Sequence, residues 1–482
     1  MTAEPTTLFR NALVDGRRRD VLVRDGQIDR VEPGLDTADC SPDLVVDAEG
    51  GALIPGLHDH HVHLAALAAA RSSVQVGPPK VTDASQLSAA LAEADRRLPA
   101  GAWIRAVGYH ESVAGPLDRG LLDRWVPARP LRVQDRSGKR WTLNSAAIRA
   151  TRAEEAGPPG VERGPDGRAT GVVERSDDWL ARVVDAGFPD LSEVGRVFAA
   201  AGVTALTDCT PYPDPSGPAA IAAAVAAGEL PQAVVVTGGV ELARHAVGPA
   251  LLRGPVKAVL DEDRLPALST VVEWLRTAHA EDRSVALHLV TAASLAYALA
   301  AWEEAGVRRG DRIEHGSVIT ADAVDRIARL GLTVVTQPGF VAERGDRYLE
   351  DVDPDEQPHL YRCGSLLAPG IPVAASSDAP YSEPDPWAGM RAAVERRTAA
   401  GKLLGPDERV PLGEALRLFT GDPLDPGRGH RRVAPGAPAD LCLLGRPLDG
   451  PTLPTASDVR ETYRAGVRIW PPAPSSVVAP EQ

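Results

Sequence analysis

Four of the eleven histidines in this 482-residue chain crowd into the stretch His58–His63. His61 and His63 stand two apart, so on an extended strand both project to one face and can reach the same cation. Three further groups of matching chemistry follow at long intervals: His288 in SVALHLV, His315 in DRIEHGS and Asp378 in PVAASSDAP. Neutral imidazoles joined by a carboxylate suit Zn2+ or a similar divalent ion. Lys257 stands out for another reason. The chain has only four lysines against 48 arginines, and this one lies between Val256 and Ala258-Val259-Leu260. A lysine there points its charge into a core unless something compensates it. Each feature alone has an ordinary reading: a chance His-x-His, a satisfied core histidine, an aspartate capping a loop. Their shared placement in successive strand-like segments is what points to a site.

Those segments number eight: LIPGLHDHHVH (53–63), VTALTDC (203–209), QAVVVTG (232–238), VKAVLDE (256–262), SVALHLV (284–290), DRIEHGS (311–317), LTVVTQPG (332–339) and PVAASSDAP (372–380). Ala/Leu-rich helical stretches lie between most of them, the alternation expected of a parallel sheet. Eight is the closure number of a (β/α)8 TIM-like barrel, in which polar residues at the C-terminal strand ends line the active site. On that reading His61 and His63 end strand 1, Lys257 opens the apolar run of strand 4, His288 lies in strand 5, His315 ends strand 6 and Asp378 ends strand 8.

The termini read differently. Residues 7–57 alternate apolar and polar positions between Asp-Gly turns, and 439–447 and 459–470 repeat the pattern, which predicts one small β-sandwich domain built from both ends. About 140 residues separate strands 1 and 2, far more than one connection needs, so an α+β subdomain is inserted there. The expected division is 1–52 and 425–472 for the β domain, 53–65 for barrel strand 1, 66–195 for the insertion, 196–424 for the rest of the barrel, and 473–482 for a frayed tail.

Composition narrows the class without choosing a function. Apolar residues make up 44% and charged residues 24%, ordinary for a soluble chain with a sizeable core, while 45 Gly and 43 Pro imply many turns. The net charge of −14 argues against nucleic acid or an anionic membrane as partner. No apolar run reaches the roughly 18 residues of a membrane span, and no signal pattern opens the chain, so a cytoplasmic location is expected. The four scattered cysteines read as thiols of a reducing compartment.

The stretch PGLHDHHVHL, with Asp59, His61 and His63, resembles the first-strand motif of the metal-dependent amidohydrolase superfamily. SVALHLV, RIEHGSVI and VAASSDAPY are similar to that family's fifth-, sixth- and eighth-strand segments, and HRRVAPGAPADLCLL to the stretch closing its small β domain. LNSAAIRA and GVTALTDC resemble the branch of N-substituted formamide deformylases and D-aminoacylase-like proteins, which carries an insertion after strand 1. The resemblance spans nearly the whole chain. It implies His61, His63, His288, His315 and Asp378 as metal ligands for one or two divalent ions, most readily Zn2+. It further implies Lys257 as an N6-carboxylysine bridging two metals. Chemistry agrees, since only a neutral amine reacts with CO2 and burial lowers a lysine's pKa.

The implied activity is hydrolysis of a carbon–nitrogen bond other than a peptide bond in a small molecule. Metal-activated water attacks, and Asp378 serves as general base and acid. Alternatives are opening of a cyclic amide, deamination of a cyclic amidine, an isomerisation, or an inactive scaffold of the same fold; a homodimer is compatible with any of them. A deaminase of this superfamily relies on a glutamate after strand 5, where this chain has Leu289-Val290-Thr291. In the insertion, Lys139 stands where relatives commonly have a histidine. It is either a cation for an anionic substrate group or a surface lysine. Tyr109 and His110, followed by Glu111, form a second segment that could face the pocket. His58 and His60 read as structural, His279 as solvated, and His245, His359 and His430 as loop residues. Asp208 either orients a ligand or caps a helix.

Overall fold

A computed structural model describes residues 5–472 apart from 185–186, 213, 240–241, 243–249 and 451. His245 and the 473–482 tail lie outside the described residues. The chain divides into two compact units, residues 1–64 with 190–482 and residues 65–189.

The larger unit contains an eight-stranded parallel sheet of β1 Leu57–Val62, β2 Val203–Asp208, β3 Ala233–Gly238, β4 Leu251–Val259, β5 Val285–Leu289, β6 Arg312–His315, β7 Thr333–Thr336 and β8 Val373–Ala375, each paired with the next in chain order. The ring closes just beyond the β8 ladder, where Asp378 N–H donates to His61 C=O and His63 N–H to Ala379 C=O, both at 2.9 Å. Apart from β1 and β6, the strands are largely apolar runs, because helices cover the outer face and side chains fill the inside. This is the TIM-like barrel expected, with each of the eight expected segments contributing its strand.

Several strand ends fall short of the sequence reading, so that His63 lies just past β1 and Asp378 three residues past β8, and two boundaries differ in kind. LIPGLHDHHVH is two strands, not one: Leu53–Pro55 pairs antiparallel with Leu441–Leu444 in the small β domain, and β1 begins after Gly56. A Cβ at Gly56 would lie 2.3 Å from Thr204 Cγ2, so only glycine lets the chain pass from one sheet to the other there. Strand β4 starts at Leu251 rather than 256. The strand runs through Gly254-Pro255, and a register shift against β3 between Val236 and Gly238 accommodates the missing proline donor.

The small β domain consists of two four-stranded sheets. One is ordered Gln27–Glu32, Arg17–Arg24, Thr7–Val14, Leu44–Asp47, and the other Val467–Trp470, Val459–Arg464, Leu441–Leu444, Leu53–Pro55. Phe9, Val21, Val23, Ile28, Leu441, Leu443 and Tyr463 share one buried core. Asp15-Gly16 and Asp25-Gly26 both hold positive φ at both residues, the hairpin-turn geometry their sequence predicts.

The 65–189 unit carries a six-stranded mixed sheet and its own core of Leu87, Leu91, Ile104, Leu131 and Val133. Its end falls at 189 rather than 195, because helix Ser192–Ala200 buries Val194 and Phe198 in the larger unit as the lead-in to β2. Among the described residues, no helix is long and apolar enough to cross a membrane. The four cysteines are free and buried.

Candidate metal centre

The backbone around the first motif is fastened before any side chain acts. Asp59 takes Ser377 N–H on both carboxylate oxygens, at 3.0 and 3.2 Å, and His61 N–H at 3.3 Å. It ties β1 to the segment after β8. Burial raises its carboxyl to about 7 despite those donors. Asp208, ending β2, accepts Leu64 N–H at 2.8 Å and Thr210 N–H at 2.9 Å, so it fixes both the exit of strand 1 and the turn bearing Thr210. It holds backbone in place, as a cap would.

Three histidines are then oriented by three different groups. His61 Nδ1 lies 2.5 Å from Glu314 Oε2, His315 Nδ1 2.9 Å from Gln337 Oε1, and His63 Nδ1 3.2 Å from Thr210 Oγ1. A carboxylate and an amide oxygen can only accept, so Nδ1 of His61 and of His315 carries the proton and Nε2 keeps a bare lone pair. Burial holds both imidazoles well below the ordinary histidine range, reinforced for His61 by the Lys257 charge and for His315 by the neighbouring His288 and His61. Both rings are therefore neutral near pH 7.

His61 Nε2 lies 3.6 Å and His63 Nε2 3.4 Å from Asp378 Oδ1, while the protonated His315 Nδ1 lies 3.9 Å from Asp378 Oδ2. Ligand atoms of His61, His63 and Asp378 all fall within 4.8 Å of one another. His61 Nε2, His315 Nε2, Asp378 Oδ1 and Lys257 Nζ are buried with no hydrogen-bond partner. The His288 and His315 rings meet edge to face at 4.4 Å between centroids. Lone pairs of His61 and Asp378 thus point at each other without a proton between them, an arrangement that a cation would satisfy. The donor set fits a divalent metal. His315 (φ 70°) and Asp378 (φ 59°) also adopt the left-handed backbone region, which non-glycine residues hold only where the surroundings impose it.

The sequence reading missed Glu314, Arg312, Gln337 and Thr210. Glu314 and Arg312 carried a usable signal, since two charged residues inside an apolar strand pose the same question as Lys257. The side roles fall out as follows. His58 bonds Thr207 Oγ1 at 2.8 Å and stacks on His60 at 3.9 Å. His279 is not simply solvated, because it bonds buried Asp311 at 2.9 Å. His359 meets Arg362 at 2.7 Å, and His430 forms an isolated bridge with Gly421. In the 65–189 unit, Tyr109 is buried with its hydroxyl on Gly115 C=O. His110 caps helix Glu111–Ala114 by accepting Ser112 N–H at 3.2 Å, and Lys139 sits beside the turn where its N–H meets Ser137 Oγ at 3.2 Å.

With this fold and this cluster in hand, comparison with known proteins gives the class. The model of the amidohydrolase family matches residues 44–469. The chain belongs to the amidohydrolase family, hydrolases of carbon–nitrogen bonds other than peptide bonds. It is 27% identical to an N-substituted formamide deformylase of Arthrobacter pascens over 89% of this chain and 90% of that one. Among solved structures, a metal-dependent hydrolase of Pyrococcus horikoshii aligns with a TM-score of 0.70 and 18% identity, covering 91% of this chain and 96% of that one. A zinc-bound adenosine deaminase of Xanthomonas campestris aligns at 0.56 and 14%, covering 97% and 92%. These structural likenesses concern the fold.

Proposed function

We propose that the protein hydrolyses an open-chain amide or formamide of a small molecule, with zinc held by His61, His63, His288, His315 and Asp378. Lys257, as a carbamate, supplies the oxygen ligand of a second ion. The observation that carries the reading is the pair of acceptors, His61 Nε2 and Asp378 Oδ1, facing each other at 3.6 Å inside the barrel mouth. When bound, such an ion polarises the scissile carbonyl and lowers the pKa of its water from about 15.7 to about 7.

The chain's own residues divide the remaining work. Gln337 and Thr210 fix the His315 and His63 rings. Asp378 has one carboxylate oxygen turned to the cluster. It takes the proton of the attacking water and delivers it to the departing nitrogen, so water and amide leave as acid and amine. No serine or cysteine nucleophile is needed. Burial raises the Cys209 thiol far above the range where it would ionise. Lys139 and His110 are the residues of the 65–189 unit proposed to contact substrate, and Tyr109 is buried in that unit's core. The likeness to a formamide deformylase over most of both chains favours N-formyl and N-acyl amines over cyclic amidines. At the position after β5, Thr291 caps helix Ala292–Ala305, which leaves no glutamate there for a deamination.

The test is a panel of N-formyl, N-acyl, cyclic-amide and cyclic-amidine compounds against the wild type and Lys139→Ala. Release of amine from the open-chain members, with KM raised by Lys139→Ala for those bearing an anionic group, supports the reading. Ammonia release from amidines alone contradicts it. Kinetics of Lys139→Ala unchanged across the panel would remove Lys139 from the substrate site.

A further inference from the structure

Of the three candidate metal-ligand histidines with described Nδ1 hydrogen bonds, only His61 bonds a charged group. Glu314 Oε2 meets its Nδ1 at 2.5 Å, whereas His315 has an amide and His63 a hydroxyl. The contact crosses the barrel, because β1 and β6 are not neighbours in the sheet. A carboxylate with 0% exposure is costly unless paired, and Arg312, two residues earlier on the same face, donates Nε to Glu314 Oε1 at 2.6 Å. The far side of Arg312 reaches Cys209, with Nη2 3.7 Å from Sγ. Hence a buried line runs Cys209–Arg312–Glu314–His61.

Ligand atoms of His61, Cys209 and Glu314 also lie within 4.8 Å of one another, as a metal trio would. The guanidinium already touches two of the three, so a second cation there would meet a fixed positive charge. At 2.5 Å the His61 Nδ1–H donates to Glu314, so that nitrogen has no lone pair to offer a second cation. The trio is a hydrogen-bonded support.

We propose that Glu314, itself held by Arg312, is a positioning residue that locks His61 with Nε2 toward the metal and makes His61 a stronger donor than His63 or His315. The proposal rests on the metal-centre reading above. A carboxylate behind a ligating histidine fixes its ring and raises its basicity, and loss of such a partner typically weakens metal binding by about 10- to 100-fold.

The experiment is zinc titration of chelator-stripped protein against a chromophoric competitor, with thermal melts of the metal-free forms alongside. Glu314→Gln is expected to bind zinc about 10- to 100-fold more weakly than the wild type, and Thr210→Val to lose less. Cobalt(II) in Glu314→Gln should show a shifted ligand-field spectrum. If Glu314→Gln leaves Arg312 unpaired and fails to fold, Arg312→Met/Glu314→Gln removes both charges and is expected to show the same weakening. Wild-type zinc affinity in a folded Glu314→Gln or in the double variant overturns this proposal alone. A wild type that binds no zinc overturns the metal centre and this proposal together.

Discussion

Asp311, just before β6, and Asp378, just after β8, are both buried aspartates of one barrel, at opposite ends. Asp311 is surrounded by donors: Val285 N–H at 2.8 Å, Arg308 N–H at 3.0 Å, Trp302 Nε1 at 3.2 Å and His279 Nε2 at 2.9 Å. Close by, Arg283 spends its guanidinium on the carbonyls of Gly254, Pro255 and Gly239. Asp378 instead turns one oxygen toward bare imidazole nitrogens and has no hydrogen-bond donor for it. A structure that satisfies a carboxylate this fully at one end could do so at the other. The unmet groups at the C-terminal end are therefore a built feature, retained for a cation, and the N-terminal end is where the barrel is held together.

Exchanging the roles should be visible in which property fails. Asp378→Asn is expected to lower kcat/KM by about 10²- to 10⁴-fold while the melting temperature of the metal-free protein stays or rises. Asp311→Ala should do the reverse. It strands Val285 N–H, Arg308 N–H and the Trp302 indole, and urea unfolding should show a loss of about 3–5 kcal/mol, with kcat of the folded fraction near wild type. If Asp311→Ala abolished turnover in folded protein, the division between the two ends would fail.

Lys257→Met sharpens the same contrast with a smaller change in stability. The amine is buried without a partner, so an apolar chain of similar length should stabilise the metal-free protein by about 1–3 kcal/mol and abolish turnover. A destabilised metal-free variant would mean that the amine is satisfied in solution.

The smallest expected effect is in the pH dependence of stability. Burial first, then Arg312, holds the His60 imidazole well below 6.5, and neither ring nitrogen has a partner. As pH falls through 6.5 the unfolded chain takes up a proton that the folded chain refuses. This contribution is thus complete above 6.5 and is lost below it. For metal-free protein, His60→Leu should flatten the acid limb by about 1.4 kcal/mol per pH unit, measured by urea unfolding between pH 6.5 and 5. An unchanged slope would show that His60 protonates in the fold.

Much of the barrel was readable because a parallel strand buried on both faces is a run of apolar residues, and a polar residue at its end is conspicuous. That is why the segments bearing His61, His63, His288, His315 and Asp378 could be found one by one. Glu314 and Arg312 were harder. They share RIEHGS with His315, and nothing local says that a glutamate 253 residues away in sequence will cross the barrel to His61. The break at Gly56 was hidden for a related reason, since both halves of LIPGLHDHHVH are buried strands and only a close approach to Thr204 separates them. Lys139, Tyr109 and His110 rested on resemblance alone, and local structure uses Tyr109 for packing.

The most direct test of the central claim is activity before and after metal removal, on an open-chain amide that the protein turns over. Chelator-stripped protein should be inactive while still folded, and should regain activity in proportion to added Zn2+ or another divalent ion, saturating at one or two ions per chain. Equal turnover by stripped and restored protein would contradict the account.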